Sequence, residues 1–325
     1  MVLSGPNTWL DPSSLRIGFR LTNTSANRRL FLVGGPHVLI DRIRIFINGT
    51  LCEDLLNYSR LHTLFQDLLQ PKNHVINAAT EYGLVRTEDR PDYPIDGYLP
   101  QRLGFGQSAE CMFPLLSGMV SAGKLLPVSY ASVQIEITFA LPQDCTGRVV
   151  PPFPGVQPDD GVSSLEYSIS GVKVFASSVL LDSAVQASYS QLLLSGRSLT
   201  YMMKTLTTQE VTLPNGTTEF STSLVRAVSR LSEVYLSFTS RDHPYKAVSF
   251  FNPSAVVGAA PGNPPFDHQE FTMEAQVQLG SLLFPERPIK SLSEFSYYLS
   301  QCLGTYNANR SANITKQRYE TNNFV

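Results

Sequence analysis

The chain has 325 residues, a formal net charge of -2 and only 16% charged residues. That length suits two domains, each able to bury its own core without a disulfide or a metal. The scattered Lys and Arg lack the electrostatic footprint of a nucleic-acid binder. The N-terminus, Met1-Val2-Leu3-Ser4-Gly5-Pro6-Asn7, has no basic region followed by an apolar run, and the most apolar early stretch is broken by Gly34-Gly35-Pro36, so neither a signal peptide nor a membrane span is expected. The four cysteines, Cys52, Cys111, Cys145 and Cys302, form no CxxC pair, and are expected as reduced, buried thiols rather than zinc ligands. A low-charge, Ser/Thr/Asn/Gln-rich surface suits repeated subunit contact, although many all-β proteins share that composition.

In chain order, Leu15, Ile17, Phe19 and Leu21 alternate with Arg16, Gly18, Arg20 and Thr22, the period of a half-buried strand. Residues 23–29 are a polar turn. A second strand places Ile43, Ile45 and Ile47 on one face and Arg42, Arg44 and Phe46 on the other, and Asn48-Gly49 forms a hairpin turn into a returning strand over 51–55. Tyr58, Leu61, Phe65 and Leu68 share a helical stripe, with Asn57 available as a side-chain cap, so one helix of about three turns is expected. Residues 71–106 form a long loop of Asp, Arg, Tyr and Pro, of the kind that carries function or surface insertions. The strand pattern returns over 109–116 and again at Val133, Ile135, Ile137 and Phe139.

The stretch 148–161, with four prolines, two glycines and Asp159-Asp160, cannot lie inside a ladder or a helix. It reads as a joint between two similar halves, residues 1–147 and 164–325, with 148–163 as linker. Beyond it, Tyr167, Ile169, Val172 and Val174 begin a strand with a bulge at Gly171. Asp182 caps a helix with Val185, Tyr189, Leu192 and Leu193 on one face and Gly196 as its stop. Residues 201–213 and 220–238 read as strand-rich, separated by a turn at Pro214-Asn215-Gly216, and 241–265 is a second long loop. Phe271, Met273, Ala275, Val277 and Leu279 alternate with polar neighbours as a strand. Ser291-Leu292-Ser293-Glu294 is a capping box that opens a helix facing inward through Leu292, Phe295, Leu299 and Cys302 and ending at Gly304. Many short strands, few helices and frequent turns place the chain among all-β proteins, as two β-sandwiches with parallel strand axes.

Chemistry is sparsely signalled. His37, His62, His74, His243 and His268 show no ligand spacing, and neither GxSxG nor a Walker loop occurs. No catalytic, cofactor-binding or metal-binding residues are therefore expected, and no bound cofactor. Glu81, Glu88, Asp89, Asp92 and Asp96 crowd the first long loop. Interleaved with Arg86 and Arg90 they read as solvated charge, with a glycosidase carboxylate pair as the alternative. The Asn-x-Ser/Thr triplets at Asn23, Asn48, Asn57, Asn215, Asn309 and Asn313 read as chance in an Asn- and Thr-rich chain.

An ordered series of segments resembles a known family. Pro6-Asn7-Thr8-Trp9-Leu10-Asp11-Pro12, Val33-Gly34-Gly35-Pro36, Arg42-Ile43-Arg44-Ile45-Phe46-Ile47-Asn48-Gly49 and Tyr58-Ser59-Arg60-Leu61 are similar to the first jelly roll of double-jelly-roll major capsid proteins, those of Polinton-like viruses, virophages and related protist-genome elements. The likeness continues through Pro114-Leu115-Leu116-Ser117-Gly118 and Lys124-Leu125-Leu126-Pro127-Val128. It resumes at Val179-Leu180-Leu181-Asp182, Leu193-Leu194-Ser195-Gly196-Arg197-Ser198-Leu199, Ser229-Arg230-Leu231 and Gly280-Ser281-Leu282-Leu283-Phe284-Pro285-Glu286-Arg287-Pro288-Ile289.

The resemblance implies two jelly rolls side by side, each with one or two short helices, in a non-enzymatic subunit that trimerises into pseudo-hexagonal capsomers and tiles an icosahedral shell. It implies neighbouring capsomers, penton proteins and minor capsid proteins as partners, no sequence-specific nucleic-acid contact, and a place in the virion after assembly inside the host cell. In the relatives, an ending like Arg318-Tyr319-Glu320-Thr321-Asn322-Asn323-Phe324-Val325 lies inside the second jelly roll, so that roll is expected to be incomplete here. Arg42 and Arg44, with Arg16 and Arg20 on the neighbouring strand, would form a basic stripe outside the first core. In a capsomer that stripe would meet Glu88, Asp89, Asp92 or Asp96 of the adjacent subunit, fixing register more than adding affinity. A carbohydrate-active or carbohydrate-binding double jelly roll is the alternative. A third reading is a non-viral binding module or a host-integrated copy.

Overall fold

The computed structural model describes residues 1–71, 85–86, 99–100, 103–146, 163–214, 216–224, 230–239, 274–304 and 312. The strands are β1 (Val2–Leu3), β2 (Thr8–Asn23), β3 (Ile40–Ile47), β4 (Thr50–Leu56), β5 (Val85–Arg86), β6 (Leu99–Pro100), β7 (Ser108–Pro114), β8 (Val133–Phe139), β9 (Tyr167–Leu180), β10 (Ala275–Leu279) and β11 (Leu282–Ile289). The α-helices are α1 (Tyr58–His62), α2 (Pro142–Cys145), α3 (Ser183–Leu194) and α4 (Leu292–Leu303). The protein is all-β, with short helices between the strands.

A four-stranded antiparallel sheet in the order β1-β8-β3-β4 faces a three-stranded antiparallel sheet in the order β7-β2-β9. Leu15, Ile17, Phe19, Leu21, Cys111 and Phe113 point inward from the second sheet and meet Ile43, Ile45, Leu55, Val133 and Ile135 from the first, forming one core. Phe19 sits edge-on to Phe113 at 6.3 Å and to Phe139 at 6.4 Å, joining its own sheet to the opposite one. Alternation along β2 and β3 is thus a core face and an outer face, as their sequences predict.

β2 starts earlier than its alternation suggests, because residues 8–11 also pair with β9. Between Asp11 and Arg16 the register shifts around Pro12, which has no donor to give a ladder. The slack is taken up by side chains: Asp11 Oδ1 accepts from the Ser13 amide at 3.0 Å, and Ser14 Oγ accepts from the Ser177 amide at 2.7 Å. Gly18 is required by close packing, since a Cβ there would lie 2.7 Å from Phe175 Cε2. The bulge expected at Gly171 is present, with φ +61° and a register shift beside it. β9 lies beyond the proline-rich stretch in sequence yet pairs with β2 in space; that stretch itself falls outside the described residues.

Elsewhere the structure corrects local expectations. The stripe from Tyr58 is a short α-helix, α1, continued by a wider π-helical turn over Thr63–Leu68 in which the Leu69 amide donates to the Leu64 carbonyl at 2.9 Å. The Thr63 hydroxyl donates back to the Ser59 carbonyl at 2.9 Å, a competing bond that disturbs a regular helix. Asn57 is left-handed, with φ 52°, and makes no side-chain cap; its Nδ2 donates to Glu210 Oε2 at 2.8 Å instead. The alternation over 201–213 and 220–238 does not become a ladder among the described residues. Thr207 makes an isolated parallel bridge to Asp54, and the chain around it runs extended along β4. Alternation reports that one side of an extended chain packs, and Tyr201, Met203 and Leu206 do pack on the core. It does not report a backbone partner. Of the cysteines, Cys111 and Cys145 are buried, whereas Cys52 and Cys302 are half-buried.

The second half has its capped helices where the sequence places them. Asp182 accepts from the Ala184 amide at 3.0 Å at the start of α3, and Gly196 follows its end with φ +82°. Ser291 and Glu294 complete a reciprocal capping box on α4. β11, unread in the sequence, returns antiparallel to β10 through Gly280. Strands β5 and β6 pair briefly within the first long loop. Among the described residues burial differs between the halves: apart from Leu303, the buried members of the hydrophobic cluster lie between Leu10 and Cys145. In the second half Leu194 is 87% exposed, Leu180 73% and Leu282 61%.

This asymmetry predicts unequal mutational costs. Phe113→Ala should destabilise by about 3–5 kcal/mol in a denaturant titration, as expected for a fully buried aromatic. Leu194→Ala should stay within about 0.5 kcal/mol.

Candidate functional site

The outer faces of both sheets are zipped by cross-strand ion pairs. Ile43 and Ile45 point into the core, so Arg42 and Arg44 point out. Arg42 makes a two-pronged contact with Asp54 of β4, Nε to Oδ1 at 2.8 Å and Nη2 to Oδ2 at 2.6 Å, and that hydrogen-bonded carboxylate holds the guanidinium above its ordinary pKa. Arg44 reaches Glu136, its direct partner across β3–β8, at 2.7 Å, and its guanidinium carbon lies 6.0 Å from the Phe46 ring centroid. Across β2–β7, Arg20 meets its direct partner Glu110 at 2.7 Å. Arg16 donates to the carbonyls of Ser13 and Leu15 at 3.2 Å. Arg42 and Arg44 stand on the outer face of the four-stranded sheet and Arg16 and Arg20 on that of the opposed three-stranded sheet, so the single stripe expected from neighbouring strands does not form. Arg42, Arg44 and Arg20 each pair with a carboxylate of the same chain instead. Glu88, Asp89, Asp92 and Asp96 lie outside the described residues.

Asp54 and Glu136 were not singled out in the sequence, and the register of the β3–β4 hairpin explains why. After the Asn48-Gly49 turn, Ile47 faces Thr50 and Phe46 faces Leu51, but Ile45 faces Glu53. Cys52 is the extra residue of a bulge. Beyond it Glu53 shares the inner face with Ile45, and Asp54 turns outward to the arginines.

Glu53 is therefore a fully buried carboxylate. Its Oε2 accepts a short hydrogen bond from Ser117 Oγ, and its Oε1 accepts from the Gly118 amide and the Leu206 amide, each at 2.9 Å. Burial raises its pKa against the lowering effect of those three donors. Nearby, the Tyr58 hydroxyl accepts from the Leu116 amide at 2.8 Å, and burial pushes its ionisation far above the usual range.

A second buried polar group was also hidden in the sequence. His37 and His62 are fully buried and stacked, with ring centroids 4.2 Å apart and planes 21° apart, against the edge of Phe113. His62 Nε2 donates to the Pro114 carbonyl at 3.1 Å. The Thr63 hydroxyl donates to Ser59, so His37 Nε2, at 3.0 Å, donates to Thr63 Oγ1. Both rings are thus neutral with the proton on Nε2. Burial pushes His62 down to about 3 and, reinforced by His62, holds His37 well below the usual value.

These buried groups are engaged inside the fold. The two imidazoles are sealed from solvent, and burial pushes the Cys111 thiol up to about 12 and the Cys145 thiol up to about 11, which leaves neither as a thiolate nucleophile. Among the described residues no group of three or more His, Cys, Asp or Glu is arranged to hold a metal ion, and no helix is long and apolar enough to cross a membrane.

No protein-family model matches the sequence, and no curated protein matches it. One solved structure that it resembles is PBCV-1 VP54, from a crystal structure fitted into a cryo-EM reconstruction of the virophage Sputnik. The TM-score is 0.36 and the identity 16%, over 59% of this chain and 40% of that one. The chain thus spans well under half the length of that structure, and the fold described above rests on its own strand pairing.

The histidine stack has a pH consequence. The fold favours neutral rings, so their contribution is fully present above the ordinary histidine value of about 6.5 and is lost as pH falls toward the depressed values. Stability should drop by up to about 1.4 kcal/mol per pH unit for each ring below pH ~6.5. Denaturant midpoints measured across that range test it, and a His62→Phe variant should show a shallower acid slope.

Proposed function

We propose that this chain is a structural subunit of a viral shell, a double-jelly-roll major capsid protein whose copies trimerise into pseudo-hexagonal capsomers of an icosahedral virion. The observation that carries this reading is the ordered series of capsid-like sequence segments. It runs from Pro6 to Ile289, and in the first half it falls on the strands and turns of a real sandwich: Pro6–Pro12 on the turn into β2 and its first residues, 42–49 on β3 and its hairpin turn, 114–118 on the turn that meets Glu53. The open apolar side chains of the second half, Leu180, Leu194 and Leu282 among them, support a surface that closes against other copies. In this reading the two rolls are residues 1–147 and 164–325, with β9 reaching from the second to pair with β2 of the first. Neighbouring capsomers, penton proteins and minor capsid proteins are its partners, and the host cell is its place of assembly.

The candidate contacts between subunits remain Arg42 and Arg44 on one side and Glu88, Asp89, Asp92 and Asp96 on the other. The intrachain pairs to Asp54 and Glu136 modify that proposal: an incoming carboxylate must share each guanidinium rather than supply its first partner. The carbohydrate-active alternative needs two carboxylates across a cleft. Among the described residues, Glu53 is buried, and Asp54, Glu110 and Glu136 are held by arginines.

Light scattering on the purified protein should give three times the chain mass, and a strict monomer at all concentrations would overturn the trimer. Reversing the charge, Arg42→Glu with Arg44→Glu, should shift trimer toward monomer, and most strongly at low salt, where the charge-matched contact is least screened. If the double variant stays fully trimeric at low concentration, the two arginines serve only their own sheet. Turnover of a defined oligosaccharide, abolished by removing one loop carboxylate, would favour the enzyme instead.

A further inference from the structure

Within residues 201–210, the stretch 206–210 runs along the outside of β4, the edge strand of the four-stranded sheet, and Tyr201 and Lys204 lie beside Lys124 and Gly118. An uncovered edge presents unpaired backbone groups, and this strap satisfies part of that demand. The Leu56 amide donates to Thr208 Oγ1 at 2.9 Å, Asn57 donates to Glu210 at 2.8 Å, and the Tyr201 hydroxyl donates to the Lys124 carbonyl at 3.2 Å. Those three bonds are exposed. Another, from the Leu206 amide to Glu53 Oε1, ends on a fully buried carboxyl. Gly118 lets the parts converge, because a Cβ at that position would lie 2.7 Å from the Lys204 carbonyl carbon and 2.8 Å from Glu53 Oε1.

We propose that Glu53 is a proton-operated latch that fastens the 201–210 strap to the edge of the first sandwich and closes most tightly when its carboxyl is protonated. The reading stands apart from the shell proposal and does not depend on it. In either protonation state Oε1 accepts from the Leu206 and Gly118 amides. What changes is Oε2: ionised, it accepts from Ser117; protonated, it donates to Ser117 Oγ and the buried charge is gone. With the strap lifted, the carboxyl meets water and returns toward its ordinary value near 4.5. The latched state therefore holds the proton more tightly than the open state, and by linkage the latch weakens as pH rises from that ordinary value through the raised one.

Among the described residues, the groups that face Glu53 keep this sign. Cys52 on the same strand and the Tyr58 phenol from α1 are both held protonated by burial, with the Glu53 charge adding to each shift. Ile45, across the strand pair, is apolar. Asp54 points to the opposite face and is held by Arg42. Lys204, on the strap itself, turns its ammonium to Glu233 at 3.8 Å.

Amide hydrogen exchange at Leu206, expressed as protection so that the intrinsic pH dependence divides out, reads the latch. Exchange at Ile17, in the centre of β2, reads global opening in the same sample. Between about pH 5 and about pH 8, Leu206 protection should fall by up to about tenfold for each unit separating the open and latched carboxyl midpoints, while Ile17 reports the sum of the Glu53 and histidine contributions, since global opening exposes all three groups. In Glu53→Gln the amide oxygen still accepts from both backbone amides and Nε2 donates to Ser117, so Leu206 should stay protected with no pH dependence. Glu53→Ala should leave it unprotected throughout; if that variant does not fold, Glu53→Gln alone decides. The latch is refuted if wild-type Leu206 protection is flat or rises with pH, or if Glu53→Gln loses it.

Discussion

In the β3–β4 hairpin the register slips by one residue at Cys52, and that slip decides which side of the sheet each neighbouring carboxylate faces. A one-residue change of register exchanges the two faces of a strand. Without the bulge, Asp54 would be driven toward the core beside Ile43, and Glu53 would stand outside among the arginines. With it, Asp54 completes the outer ion pair and Glu53 enters the core, where only the Ser117-Gly118 turn and the strap can satisfy it. The outer charge pattern and the inner polar contact are therefore two results of a single extra residue.

The strand pairing also ties distant parts of the chain together. β2 carries β7 on one side and β9 on the other, and Phe175 of β9 lies over the bare backbone of Gly18. The buried polar contacts follow the same non-local logic. His62 reaches Pro114, Tyr58 reaches Leu116, and Glu53 reaches Leu206. A fold built from such pairings spends loop entropy before it recovers contact energy.

Much of this was readable in the sequence, and the parts that were not share a cause. The alternation of Leu15 to Leu21, of Ile43 to Ile47 and of Val133 to Phe139, the turn at Asn48-Gly49, and the caps at Asp182 and Ser291 all depend on residues near one another, and all are present. The π-helical turn after His62, the bulge at Cys52 and the stacking of His37 on His62 depend on what the rest of the fold brings alongside. Residues 201–213 alternate as a strand should, yet find side chains rather than a ladder, because the edge of β4 is met at a single bridge. Arg42 and Arg44 could be placed on an outer face from the period alone; their partners needed the register.

The double-sided pairing of β2 has a consequence during synthesis. A strand of 16 residues leaves the ribosome well over a hundred residues before β9, its second neighbour, is made. At ~5–20 residues per second that interval is roughly 7 to 30 seconds. Throughout it, one long edge of the central strand can find only itself, another nascent copy, or a chaperone. Arg16 and Arg20, four residues apart on the outer face of that strand, give it positive charge in the interval, and charge on an uncovered strand is a feature that disfavours pairing between copies.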